Sequence, residues 1–312
     1  MEGKSDRKAI GLFHDASKKW NTNHQCLYPG CRKVPIGSHV IPRSVLTLIA
    51  ENGKVYGWNP PFHSMVQNAQ NRQERERLYD EPRLFGIDEN NFPIKFPLFC
   101  EEHDGAVFAS LEHDGFSNQP KQVALLAYRA VCYNSWHPNP ASTIFAWAKQ
   151  HNILLPPSLS SPEKVAILEA SFITDTLLAA RQRLGSMVET QDYMQIESMT
   201  VALALPAWIA STSAFVPMTD DEDTDTLTAE DVLAFTLFPE KTRKSSYCVF
   251  SWFKGSQRGH HYKNTVLRLP KDELQDVLFA TAFNTGNVCL SPPWWNSLTE
   301  EDKETLRQIH LD

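Results

Sequence analysis

Two short pairs of metal-grade donors constrain this chain more than anything else in it. Cys26 and Cys31 enclose Leu-Tyr-Pro-Gly, and Cys100 and His103 enclose Glu-Glu. Zinc takes four soft or borderline ligands in a tetrahedron, and structural sites usually draw them from two such pairs, each turning a knuckle or opening a helix. Pro29 and Gly30 supply the first turn. The stretch from 24 to 110 is rich in Pro, Gly, Asn and His, with only short apolar runs such as SVLTLIA and FPIKFPLFC, so it needs an internal staple. Cys26, Cys31, Cys100 and His103 are therefore read as one structural zinc site, coordinatively full and not itself a catalyst. Its metal should contribute on the order of 10 kcal/mol of apparent folding free energy. His24 and His113 lie nearby as spare donors and read as ordinary exposed histidines. Cys132, Cys248 and Cys289 sit in apolar surroundings and read as buried small hydrophobes.

Between the pairs runs IGSHVIPRS, residues 36–44, a β-type run carrying Ser38-His39 and then Ile41-Pro42-Arg43. In order and spacing, residues 24–112 resemble the HNH, or ββα-metal, endonucleases: a cysteine pair, a strand with a histidine, an insert, then a second pair opening a helix. That resemblance implies a zinc-stapled ββα-metal-like module with a structural zinc and a catalytic Mg²⁺ or Mn²⁺. It implies that His39 is the general base activating water for attack on a phosphodiester, and that Asp104 is the helix ligand of the catalytic ion. Ser38 stands where the family usually has a metal-binding acid, and no asparagine between 58 and 91 can be placed as the middle member of the His-Asn-His set. His39 keeps a second reading, in which its imidazole packs against the knuckle and hydrogen-bonds a backbone group. Arg32, Lys33 and Arg43 lie near the expected site and would contact phosphates, the alternative being exposed, solvated side chains.

After Gly105 helical periodicity takes over at 119–134, 141–151 and 162–190; beyond about 198 it gives way to β-type runs, TVALALPAWIASTSAFVPM, VLAFTLFP and SYCVFSWFKG. PEKTRKS reads as the turn joining the last two, and helices are expected at 270–284 and 298–309. His260-His261 is placed in a basic hairpin loop with Lys254, Arg258 and Lys263, and Trp294-Trp295 reads as a core anchor for the last helix in preference to a base-stacking platform. The fold class is thus α+β: a zinc-binding module over 1–115, then a helical middle and a mixed α+β region over 116–312 acting as a sensor or partner-binding part.

Hydrophobic residues make up 42% of the chain and charged ones 21%, which is globular composition. A formal charge of −7 provides no global basic face, so any nucleic-acid contact must be local. Without an apolar stretch of spanning length or a signal-like N-terminus, the expected location is cytoplasmic, with no membrane partner. The layout resembles prokaryotic proteins associated with phage defence. The expected function is a metal-dependent endonuclease acting on DNA, with a protein partner or a second copy engaged through the C-terminal region. The alternative is a non-catalytic zinc-finger protein binding nucleic acid or a protein.

Overall fold

The computed structural model describes residues 25–58, 82–89, 95–136, 161–204, 206, 208–217, 227–285 and 287–311. In the N-terminal part, β1 (Gly37–His39) leads into α1 (Arg43–Ile49), and β2 (Lys54–Trp58) and β3 (Arg83–Gly86) follow. Then β4 (Lys95–Pro97) runs into α2 (Glu101–Val107) and α3 (Ala109–His113). Two long helices, α4 (Pro120–Trp136) and α5 (Ser161–Thr190), precede β5 (Ile196–Leu203), β6 (Ile209–Phe215), β7 (Leu233–Pro239) and β8 (Ser246–Phe253). The chain closes with α6 (Gln257–Arg268), α7 (Lys271–Thr285), β9 (Asn287–Leu290), α8 (Pro292–Ser297) and α9 (Glu300–Leu311).

The strands form a two-stranded antiparallel pair, β1–β4, and a seven-stranded sheet of order β3-β2-β9-β6-β7-β8-β5. Every strand pairing is antiparallel, so the protein is a mixed α+β structure. The larger sheet crosses residue 115: β2, from the segment between the two donor pairs, aligns Tyr56 with Leu290 of β9.

The sheet is buried on both faces, and its strand sequences show why. In β7, Leu233, Phe235 and Leu237 face one apolar cluster while Ala234 and Phe238 face the other. In β8, Cys248, Phe250 and Trp252 alternate in the same way with Val249 and Phe253, as a strand's period of two requires. One face is covered by α4, α5 and the segment carrying Cys26 and Cys100; the other by α7, α8 and residues of α6 and α9. The helix α4 is buried on all sides from Val123 through Cys132, apolar there except for Arg129, because it lies between the sheet and α5.

Several expectations are met. The turn between β7 and β8, the helices near 270–284 and 298–309, and the buried Cys132, Cys248 and Cys289 are all in place. Thr299 caps α9 reciprocally with Asp302. Trp295 is buried edge-on to Trp58 at 5.5 Å, and Trp294 stacks on Trp208 at 5.6 Å, so this pair anchors the C-terminal helices.

Others need correction. His260 and His261 lie in the helix α6, not in a hairpin loop; Ser256 caps it by accepting the Gly259 N–H at 2.9 Å. The apolar run from 200 to 218 is split near Pro206 into β5 and β6. His24 and the segment 141–151 lie outside the described residues.

Candidate metal centre

The first donor pair is a turn built by its backbone. Cys31 N–H donates to the Tyr28 carbonyl, Cys26 N–H to the Lys33 carbonyl, and Gly30 takes a left-handed φ of +68° that a side chain would strain. The knuckle is also tied outward: Leu27 N–H donates to Leu98 O, and the buried Tyr128 hydroxyl of α4 donates to Leu27 O at 2.8 Å. Pro29 packs on Gly185 of α5, where an added Cβ would lie 2.9 Å from the proline ring.

The second pair is a helix start. Cys100 holds the position before α2 in extended backbone, and one turn later His103 brings its ring back beside it. The ring lies 3.9 Å from Tyr28 at an interplanar angle of 12°, which fixes it with Nδ1 turned to the sulfurs. The ligand atoms of Cys26, Cys31, Cys100 and His103 all lie within 4.8 Å of one another. A tetrahedral zinc with Zn–S near 2.3 Å sets its ligand atoms about 3.5–3.8 Å apart. Cys31 and Cys100 Sγ are 3.9 Å apart, and His103 Nδ1 is 3.5 Å from Cys26 Sγ and 3.2 Å from Cys100 Sγ. The donor set and spacing therefore fit a metal ion of zinc's size, and among the described residues no other His, Cys, Asp and Glu side chains converge in this way.

The thiols are unequal. Burial pushes Cys26 up to about 12, whereas at Cys100 hydrogen bonds from the α2 N-terminus and the neighbouring thiols outweigh burial and hold it below the ordinary value. Metal uptake must therefore displace a proton that burial otherwise keeps on Cys26.

Behind the donors lies a second polar cluster. Ser38 is fully buried on β1; its hydroxyl accepts the Phe99 N–H at 3.2 Å and supports the Asp104 carboxylate. His39, next on the strand, is aligned with Lys95 of β4 and holds the Ile87 carbonyl at 2.7 Å through Nε2. A carbonyl can only accept, so Nε2 carries the proton and Nδ1 the lone pair. Burial depresses the His39 pKa below its ordinary 6.5, which leaves the ring neutral at pH 7. The backbone-bonded histidine is thus one of the two readings of the sequence, and it is compatible with the other, because a neutral ring with a fixed tautomer can take a proton.

Asp104 projects from α2 with its carboxylate raised by burial, and its Oδ1 has no hydrogen-bond partner. Arg129 of α4, only 2% exposed, brings one guanidinium nitrogen to 4.0 Å from that oxygen and another to 3.0 Å from Glu112 Oε1, and lies 4.1 Å over the Phe108 ring. Glu112 accepts the Ser44 N–H on its other oxygen. Although burial opposes it, Arg129 and that hydrogen bond hold Glu112 ionised below the usual glutamate range. The expected residues His39 and Asp104 lie within electrostatic reach of one another, and Glu112 and Arg129, which were not singled out, belong to the same charge network. A lone arginine within VALLAYRAVCY was the available signal, since a charge inside an apolar helix must find a partner.

The expected phosphate contacts are placed differently from one another. Lys33 is ion-paired with Glu102, and Arg43 makes a two-pronged pair with Asp88 at 2.6 and 2.8 Å, while Arg32 is exposed. No described helix is long and apolar enough to cross a membrane.

The arrangement defines a mixed α+β protein in which a Cys₃His cluster able to hold a metal ion lies near a half-buried group of His39, Asp104 and Glu112 around the buried Arg129. Comparison with known protein families, with curated proteins and with solved structures finds no match for this chain.

Proposed function

We propose that residues 25–113 form an HNH-like centre that hydrolyses phosphodiester bonds in DNA, with zinc on Cys26, Cys31, Cys100 and His103 as its staple. The observation that carries this reading is the juxtaposition of His39 and Asp104. A neutral histidine of fixed tautomer on a strand lies within electrostatic reach of a helix carboxylate whose Oδ1 lacks a hydrogen-bond partner and which directly follows His103 of the Cys/His cluster. His39 acts as general base, accepting the proton of the attacking water at Nδ1. Ser38 takes no part as a ligand; its hydroxyl, locked between Phe99 N–H and Asp104, sets the carboxylate's position. Asp104 fits Mg²⁺ or Mn²⁺ in the manner of sites that give such an ion one carboxylate and leave the rest to water and phosphate. When bound, the ion would offset charge on the leaving oxygen.

A second reading is favoured by Arg129. Its guanidinium already lies against both carboxylates, and Lys33 and Arg43 already carry acidic partners. On that reading the module is a zinc-stapled binding surface for nucleic acid or a protein, without hydrolysis. Plasmid nicking separates the two. The nuclease reading expects cleavage with Mg²⁺ or Mn²⁺, a loss of at least 100-fold in His39→Ala and in Asp104→Asn, and retained zinc in both variants. No cleavage under any divalent ion, or full activity in His39→Ala, overturns it; DNA retardation without cleavage then supports the second reading.

A further inference from the structure

A cleft of about 470 Å³ lies where α1 and α3 meet the start of α4 and the turn between β7 and β8. This volume suits a small organic molecule. Its apolar wall is formed by Leu48, Leu111, Leu126 and Phe238. Phe116 braces that wall, edge-on to Phe238 at 5.0 Å and tilted against Tyr247 at 5.6 Å. The charged lining is unbalanced: Glu112, Asp114 and Glu240 face Lys241 alone.

The charges differ in how far they are already answered. Glu112 has Arg129 behind it. Lys241 turns its ammonium to the His113 carbonyl at 3.4 Å and lies against Gly115. Glu240 is oriented by the hydroxyls of Thr242 at 2.8 Å and Ser245 at 2.5 Å, both on the same oxygen, Oε2, and these hold it ionised below the usual glutamate range. Asp114 stands exposed at the rim. An apolar slot thus ends in oriented negative charge.

We propose that this cleft is a binding site for a small cationic amphiphile, an ammonium group on an aromatic or aliphatic body, with the body against Leu48, Leu111 and Phe238 and the ammonium at Glu240 and Asp114. Anionic ligands of the same shape are excluded by the carboxylates. The inference does not rest on whether His39 cleaves DNA: its ammonium contacts are Glu240, in the β7–β8 turn, and Asp114, just after α3, and neither is used in that chemistry.

The test is a fluorescence titration of the full chain with 1-naphthylmethylammonium and, separately, with 1-naphthylacetate, which share a ring and differ in charge. The ammonium probe should bind at least about tenfold more tightly than the carboxylate. Glu240→Gln, a half-buried turn position, should weaken it about tenfold, the loss of one charge-assisted contact. Leu48→Trp, which fills the slot, should abolish it, with circular dichroism confirming that the variant is folded. Equal binding of the two probes, an unchanged affinity in Glu240→Gln, or no binding of the ammonium probe at millimolar concentration would overturn the proposal.

Discussion

Replacing Arg129 with Met should cost about 3 kcal/mol at pH 7, and the size of that loss should depend on pH in a specified direction. The guanidinium is 2% exposed, contacts Glu112 at 3.0 Å and Asp104 at 4.0 Å, and lies 4.1 Å over Phe108. Removing one partner of a buried ion pair typically costs about 3–5 kcal/mol, because the other charge stays behind unpaired. Here Glu112 and Asp104 are each 23% exposed, so water screens part of the penalty and the lower end of that range applies. Methionine retains most of the packing against Phe108, which isolates the electrostatic part. In the wild type the Glu112 pKa lies below its unfolded value of 4.5, so its contribution is complete above pH 4.5 and is lost as pH falls through the lower folded value. Without Arg129, burial is left to raise the Glu112 pKa instead, and the variant should regain ground relative to the wild type as pH falls from 7 toward 4. Urea unfolding at pH 7 and pH 4.5 measures both quantities. Adding Glu112→Gln to Arg129→Met should recover at least about 1 kcal/mol, since it removes a stranded charge. A deficit below about 1 kcal/mol, or one that grows with acidity, would refute the assignment of Arg129 as the counter-ion of this cluster.

Three further outcomes follow from individual contacts. Ser38→Ala removes the hydroxyl that accepts the buried Phe99 N–H and should lower stability by about 1–3 kcal/mol in urea unfolding. Gly259→Ala would place a Cβ 2.3 Å from the Trp252 ring, whose residue is 2% exposed; the overpacking cost of about 1–3 kcal/mol should outweigh the helix-propensity gain of about 1 kcal/mol and lower the melting temperature. Nicking, where observed, should be lost on the acidic limb, as pH falls through an apparent pKa below 6.5, because burial keeps His39 neutral at pH 7; an acidic limb centred well above 6.5 would exclude His39 as the base.

The donor pairs were legible in the sequence because both are local: each turn is made within a few residues, by Pro29 and Gly30 in the first and by one helical turn in the second. The strands β7 and β8, their connecting turn and the capped α9 were legible for the same reason. The large sheet was not. Tyr56 aligns with Leu290 and Val55 with Phe85 across an insert, and nothing in strand periodicity specifies which distant strand is the partner. The helix α6 was misread because QRGHHYKN has no apolar stripe; only Gly259 and Val266 are buried along it, so the Ser256 cap was its one strong signal. At the candidate site, His39 and Asp104 could be named from order along the chain. The contribution of Glu112 and Arg129 arises where α3 and α4 pack together, which spacing alone does not encode.

The central claim, that Cys26, Cys31, Cys100 and His103 hold a zinc ion on which this part of the fold depends, is tested most directly by metal analysis of the purified chain combined with chelation. One equivalent of zinc should be bound, and Cys100→Ser should lose most of it. A strong chelator should remove the ion and unfold the knuckle region, read as amide-exchange protection lost from Leu27 and Asp104, in line with coordination energies on the order of 10 kcal/mol. Substoichiometric zinc together with unchanged protection at those amides after chelation would contradict it.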